Sequence, residues 1–386
     1  MAIAVIGRGL IGSAAARHLA KAGHEVVLIG PGEPTEKTTH AGVFASHYDE
    51  GRITRKLDPW PFWSRVSRAA IGRYAEIEAE SGVSFFSGVG AMMAGPADGD
   101  LMGRVEAVAE EAGFAFDRYE GAALAKRFPY FQFPEGTLAL HEPSGAGHIS
   151  PRRLVRAQGI AAQRAGARIV EATASGFSET PAGVTVETDA GPVQADRVLV
   201  AAGGFTNMLL PGPLPVKVHA RTVALFEIDE DEAARLSGQP SLIYLKPNGE
   251  DPYLLPPIRY PDGRIRLKLG GDPEDVRLEG TEAIKAWFRS GGSSQVADAL
   301  TGQVRERMPG LAIRNVTRDA CVTTYTERDT PIIGALSDRV AVAVAGCGRG
   351  AKCSDELGRL GAEAVLGRCD PDLAIPGNPV DPKTPA

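Results

Sequence analysis

The stretch AIAVIGRGLIGSAAARHLAKAGHEVVLI, residues 2–29, decides the fold. Ala2–Ile6 is an apolar run of strand length. Gly7, Gly9 and Gly12 follow it at G-x-G-x-x-G spacing, with Leu10 and Ile11 between them. An alanine-rich helical pattern from Ser13 to Ala22 then ends at Gly23, a residue suited to a helix C-cap. HEVVLI supplies a second buried strand. Glycines at this spacing are common by chance, but a strand before them and a helix after them give the motif meaning. The glycines let backbone approach a pyrophosphate, and the helix N-terminus favours its charge. This is a dinucleotide-binding unit.

One member of the fingerprint is missing. An acid is expected at the end of the second strand to hold the ribose hydroxyls, and Gly30 stands there, in VLIGPGEP. Glu33, in the loop that follows, is the nearest substitute.

Three further segments repeat the α/β logic. Residues 149–171 pattern as a helix and then a strand. Residues 183–207 give two short strands, the apolar strand Val198–Ala202 and a turn at Gly203–Gly204. Residues 338–367 give the strand RVAVAVAG, a turn with Gly346, Gly348 and Gly350, and a helix through Val365. Between these units TVALFEI, SLIYLK, YLLPPI and RIRLKLG look like antiparallel strands. The fold class is therefore α/β (α+β overall), a Rossmann-like domain with an inserted antiparallel-sheet domain. The nucleotide-binding domain is discontinuous, over 1–84, 146–219 and 316–370. The substrate domain takes 85–145 and 220–315, and 371–386 forms a proline-rich C-terminal arm.

Bulk properties exclude several classes. At 386 residues, the chain suits two or three lobes at roughly 150 residues per domain. Apolar residues make up 43% and charged residues 23%, as in ordinary globular proteins. A net charge of −6 offers no field for nucleic acid, and no apolar run is long enough for a membrane. The N-terminus lacks a basic region, so a signal peptide is not expected. The four cysteines, Cys321, Cys347, Cys353 and Cys369, form no C-x-x-C pair. His40, His47, His141, His148 and His219 have no metal spacing. A cytoplasmic protein, monomeric or a small homo-oligomer, with no metal, is the expectation.

IAVIGRGLIG, SHYDEGRITR, DRVLVAAGGFTN, RLKLGGD, CVTTYTERDTPIIG and AGCGRGAKCS occur in that order. Together they resemble the monomeric sarcosine oxidase/N-methyltryptophan oxidase group of the D-amino-acid-oxidase-like flavoenzymes. The resemblance spans nearly the whole chain and is specific near residues 1–55, 198–207, 262–272 and 318–354. It implies FAD, bound by Gly7, Gly9, Leu10, Ile11, Gly12, Arg52, Ala202, Gly203, Gly348, Gly350 and Lys352. By the same resemblance Cys321 is the covalent flavin attachment, and Lys268 sits by the flavin and helps oxygen react. Arg55 and Lys352 hold a substrate carboxylate, and Arg52 lies near the flavin. Three positions depart from the pattern: Thr323 replaces a tyrosine, Asp272 a histidine and Arg349 another histidine. The resemblance thus implies familiar cofactor chemistry with a changed substrate seat, and sarcosine itself is a doubtful substrate.

The residues themselves leave alternatives open. Cys321 alone suits a buried apolar thiol, since reactivity needs a nearby positive field and Arg318 and Arg328 are neighbours only in sequence. Lys268 shares a strand face with Arg264 and Arg266, which suits either a solvated edge or a pocket for negative charge. Arg52 and Arg55 share a side if their segment is helical. They form either surface ion pairs with Asp49, Glu50 or Asp58, or a guanidinium fork for a carboxylate. Arg349 and Lys352 enter a helix start, where cations are unfavourable without an anion, so the extra arginine suggests a substrate with two acidic groups. Asp272 is placed to orient the amine or act as a base.

The activity implied is FAD-dependent oxidation of a secondary amine, an N-methyl or N-substituted amino acid, by hydride transfer to the flavin. Oxygen then gives peroxide, and the imine hydrolyses to an amine and an aldehyde or keto acid. The partners are a carboxylated amine and O2. One alternative is a flavin dehydrogenase of an amino or 2-hydroxy acid with another acceptor. A second is a non-catalytic nucleotide-binding subunit.

Overall fold

A computed structural model describes residues 1–374, so most of the C-terminal arm expected at 371–386 lies outside the described residues. The first unit forms as its sequence dictates. Strand Ala2–Ile6, helix Leu10–Lys21 and strand Glu25–Ile29 follow one another, and the two strands pair in parallel. They are the centre of a six-stranded sheet, ordered Ile332–Ala335, Val340–Val344, Arg197–Val200, Ala2–Ile6, Glu25–Ile29 and Arg168–Val170. All its pairings are parallel except that of Ile332–Ala335 with Val340–Val344. The strands are buried on both faces, which explains their unbroken apolar runs. Helix Leu10–Lys21 packs against Pro151–Arg164 and Gly350–Val365 on one side of the sheet. Thus segments from the start, middle and end of the chain share one core.

The second layer is a nine-stranded sheet. Lys217–Ile228 runs antiparallel to Ile265–Gly270, which runs antiparallel to Tyr253–Arg259. Ser241–Tyr244 pairs antiparallel with Tyr253–Arg259 but parallel with Ala91–Pro96, a pairing that alternation of side chains does not reveal. Asn315–Tyr325 pairs antiparallel with Lys217–Ile228 from Lys217 to Glu227. The strand carrying Cys321 is therefore part of the second sheet, although the sequence from 316 onward reads with the nucleotide-binding unit.

A small three-stranded sheet joins the layers, with Gly147–Ile149 between Arg52–Thr54 and Phe86–Ser87. The segment holding Arg52 and Arg55 is thus strand and turn rather than helix, because Arg52–Thr54 pairs with Gly147–Ile149. No described helix is long and apolar enough to cross a membrane.

Candidate active site

A long cavity runs between the two layers. One end is the first glycine turn, with Gly7, Gly9, Leu10 and Ile11, and the other end reaches Arg52 and Cys321. Ala202 and Gly203 line one side, and Gly348 and Gly350 the other. A methyl on Gly7 would lie 2.3 Å from the Ala201 carbonyl oxygen, and one on Gly12 would lie 1.9 Å from the Gly7 oxygen. Side chains are excluded at both places, which leaves bare backbone facing the cavity. Gly12 does not line the cavity; it lets the turn close. Helices Leu10–Lys21 and Gly350–Val365 both begin without a side-chain cap, and both first turns line the cavity. Their free amides suit an anionic group. Ala345, Cys347 and Gly348 all have left-handed φ, and the Cys347 amide donates to the Thr324 carbonyl at 2.9 Å. That bond holds the last glycine turn against the Cys321 strand and helps offset the strain at Ala345 and Cys347.

At the ribose end, a Cβ on Gly30 would lie 2.6 Å from the Arg8 nitrogen. Arg8 has closed the place where the acid is expected. Glu33 does not replace it, because its two oxygens accept from Arg152 at 2.6 and 2.7 Å.

At the other end, Arg52 Nη2 donates to Cys321 Sγ at 3.4 Å. Arg318 and Arg328, the neighbours in sequence, bond the carbonyls of Gly292 and Ala374 instead. Arg52 and Lys268 both donate to Asp49, and Tyr260 reaches the same carboxylate at 3.3 Å. Burial opposes the charge on Asp49, but the charges of Lys268 and Arg52 outweigh it and hold the carboxyl well below the usual range. Lys268 is fully buried, and burial followed by repulsion from Arg52 pulls it down to about 8, against the pull of Asp49. Its Nζ also donates to the Gly51 carbonyl at 2.8 Å and lies over the Tyr253 ring. Arg264 is exposed and Arg266 is held by Asp262, so the three cations of that strand do not act together.

The remaining expected cations gather on Asp58, which is fully buried. Its Oδ2 accepts from Arg55 at 3.0 Å, from Arg349 at 3.3 Å and from Lys352 at 3.3 Å. Burial opposes ionisation of Asp58, yet Lys352, Arg55 and Arg349 together hold it down at about 2. Lys352 also donates to Ser67 at 2.6 Å, and Arg349 donates to Asp329 at 3.0 Å. Arg349 is therefore engaged by two protein carboxylates, which removes the reason to expect a second acidic group on a substrate. Asp272 is engaged as well: its oxygens accept from the amides of Thr222 and Glu274. It ties a loop to the neighbouring strand, and both its oxygens are taken by amides, which leaves a role as base without geometric support. Lys268, Arg55, Arg349 and Lys352 lie behind the cavity lining rather than in it.

The structure gives a place to polar groups that the sequence named without a role, and to Asp251, which it did not name. His47 lines the cavity with Nδ1 unpartnered; burial and then the charges of Arg152, Arg8 and Arg52 push it down to about 3, so it is neutral. The Thr323 hydroxyl is buried without a partner and also faces the cavity. Asp251 is open to water on one side and enclosed on others; burial raises it against the charges of Arg349, Arg55 and Arg221. Among the described residues no group of three or more His, Cys, Asp or Glu could hold a metal.

Bare glycine backbone between two uncapped helices fits a dinucleotide, and the orphaned Thr323 hydroxyl and the cations beyond it fit a redox ring system with polar edges. The class so defined is that of dinucleotide-dependent oxidoreductases. Within it, the chain belongs to the DAO family of FAD-dependent oxidoreductases, whose family model matches residues 2–364. Monomeric sarcosine oxidase of Bacillus sp. (strain B-0618) is 26% identical over 97% of this chain and 94% of its own. N-methyl-L-tryptophan oxidase of Salmonella heidelberg (strain SL476) is 24% identical over 94% of each. Among solved structures, NikD, an amino acid oxidase of nikkomycin biosynthesis, superposes with a TM-score of 0.76. It shares 20% identity and covers 94% of this chain and 93% of its own. Iminodiacetate oxidase from Chelativorans sp. BNC1 gives 0.71 at 21% identity, covering 95% of each. These structural likenesses concern the fold.

Proposed function

We propose that the chain is an FAD-dependent oxidase of a secondary amine, an N-methyl or N-substituted amino acid, with the flavin tethered through Cys321. The observation that carries this reading is the fully buried Lys268, tied to Asp49 beside the Arg52–Cys321 contact at the end of the dinucleotide cavity. Asp49 is the counter-ion that keeps this ammonium in a water-poor place, and a positive charge held there suits a site where negative charge develops on oxygen. The sequence relatives named above as sarcosine and N-methyltryptophan oxidases support the choice of amine.

Gly7, Gly9, Leu10 and Ile11 would hold the pyrophosphate by backbone, with Ala202, Gly203, Gly348 and Gly350 along the flanks. When bound, the flavin supplies the two-electron acceptor for the amine C–H and the route of those electrons to oxygen. The chain supplies placement and charge. Arg52 donates to Cys321 Sγ and fixes the sulfur at the end of the cavity where attachment takes place. Arg55 offers a buried Nε with no partner, a donor for the substrate carboxylate, and Lys352 adds charge behind it. Fixing the carboxylate orients the reacting C–H bond, from which much of the rate derives. Lys268, as ammonium, stabilises the reduced oxygen that leaves as peroxide. The imine product hydrolyses in water to an amine and an aldehyde or keto acid.

Oxygen uptake and peroxide formation with a panel of N-methyl and N-alkyl amino acids test the proposal. Flavin bleaching under anaerobic conditions with no peroxide in air would instead make the chain a dehydrogenase.

A further inference from the structure

Asp58 has no part in the chemistry above, yet it is the most heavily bonded carboxylate beside the expected substrate seat. Arg55, Arg349 and Lys352 all converge on its Oδ2, and its Oδ1 accepts from the Trp60 amide at 3.3 Å. The groups come from three places: the turn after strand Arg52–Thr54, the last glycine turn and the helix that follows it. Three cations here face two carboxylates, Asp58 and Asp329, which leaves one positive charge. The remaining donor capacity is also localised. Arg55 is 6% exposed, its Nη1 is taken by Asp58 and the Leu57 carbonyl, and its buried Nε has no partner. Of the other acids within electrostatic reach of Arg55, the buried Glu142 is paired with Lys56, and Asp251 is open to water and forms no ion pair among the described residues.

Resting on the reading of Arg55 and Lys352 as the carboxylate seat, we infer that Asp58 sets its charge, making this site selective for substrates with a single carboxylate. Asp58 acts as a built-in counter-carboxylate. It cancels one of the charges that a second substrate carboxylate needs, and it holds Arg349 and Lys352 away from that role. A dicarboxylated amine entering this seat meets one open cation and the fixed charge of Asp58, and repulsion at close range in a water-poor site rejects it. Asp58 is a positioning and specificity residue; it need not touch the reacting atoms.

The test uses the purified holoenzyme and two ethers that carry the carboxylates of such substrates but no amine: methoxyacetate, with one carboxylate, and diglycolate, with two. Calorimetric titration gives the ratio of their dissociation constants without relying on turnover. The wild-type protein is expected to prefer methoxyacetate by about tenfold or more, the size expected from one unfavourable buried charge contact. Asp58→Asn is expected to narrow or reverse that ratio by about tenfold, since it removes the fixed charge and keeps the shape. Because Asp58 is buried and the variant can fail to fold, Asp329→Asn gives a second route. Asp329 has φ +50°, which asparagine tolerates, and its removal frees Arg349. This variant is expected to shift the ratio the same way by a smaller factor. Equal binding of the two ethers by wild type, or a ratio unchanged in every folded variant, overturns the inference while leaving the carboxylate seat in place. Neither ether binding to wild type overturns the carboxylate seat and the inference with it.

Discussion

Arg52 Nη2 lies 3.4 Å from Cys321 Sγ, although 269 positions separate the two residues. The contact gives the cysteine a cation that Arg318, on its own strand, does not supply, because Arg318 bonds the Gly292 carbonyl. Replacing Cys321 with alanine is expected to free the flavin. After acid precipitation, flavin fluorescence should stay with the wild-type pellet and move to the supernatant in the variant. Arg52→Met should leave a mixture, because the sulfur loses the guanidinium that fixes it while the cysteine stays in place. A fluorescent pellet from the alanine variant would place the tether elsewhere.

Asp49 binds Arg52 and Lys268 together, so removing its charge should affect both. In Asp49→Asn two enclosed cations lose their partner, a kind of change that typically costs about 3–5 kcal/mol. Lys268 should also fall below its value of about 8, because Asp49 is what pulls it upward. The expected result is a lower Tm and a slower reaction of the reduced enzyme with oxygen, measured by stopped flow. A normal Tm together with a normal oxygen rate would mean that Asp49 does not organise this end of the cavity.

What the sequence revealed follows from the range of each interaction. The turn at Gly7–Gly12 was readable because strand, glycines and helix adjoin one another, and the pairing of Ala2–Ile6 with Glu25–Ile29 needs no distant partner. The acids beside Arg52 and Arg55 were readable from the run DEGRITRKLD, in which Asp49 and Asp58 stand three residues from their arginines. Their setting was not: the same spacing serves on a solvated surface, and only packing against the last glycine turn and the Lys268 strand encloses it. Asp272 shows the converse. Its position four residues after Lys268 suggested chemistry, but the chain bends at Gly271, φ +108°, and the carboxylate meets backbone amides instead.

Gly30 offers a test in which repairing a motif should do harm. The usual fingerprint has an acid here, so Gly30→Asp would be expected from sequence alone to tighten dinucleotide binding. In this chain the added Cβ would lie 2.5 Å from the Arg8 Cβ and 2.6 Å from its nitrogen. Backbone must shift at the turn that carries Gly7 and Gly9, and overpacking of this kind costs about 1–3 kcal/mol. Reduced flavin content and a lower Tm are the expected outcome. A variant with undiminished Tm and tighter FAD retention would show that Arg8 yields easily.

Lys268 should impose a pH limb on the oxygen step. Its ammonium is held down to about 8, from the ordinary 10.5, first by burial and then by the charge of Arg52. The charged form is therefore present below that value and is lost as pH rises through it. If the ammonium is what stabilises negative charge on oxygen, the second-order rate of the reduced enzyme with oxygen should be flat near pH 6–7. It should fall about tenfold by one pH unit above the midpoint, where roughly a tenth of the ammonium remains. Lys268→Met should be slower at low pH and lack the limb altogether, while substrate reduction of the flavin changes far less. A limb that persists in Lys268→Met would assign the titration to another group, and a wild-type rate that rises with pH would contradict the need for the ammonium.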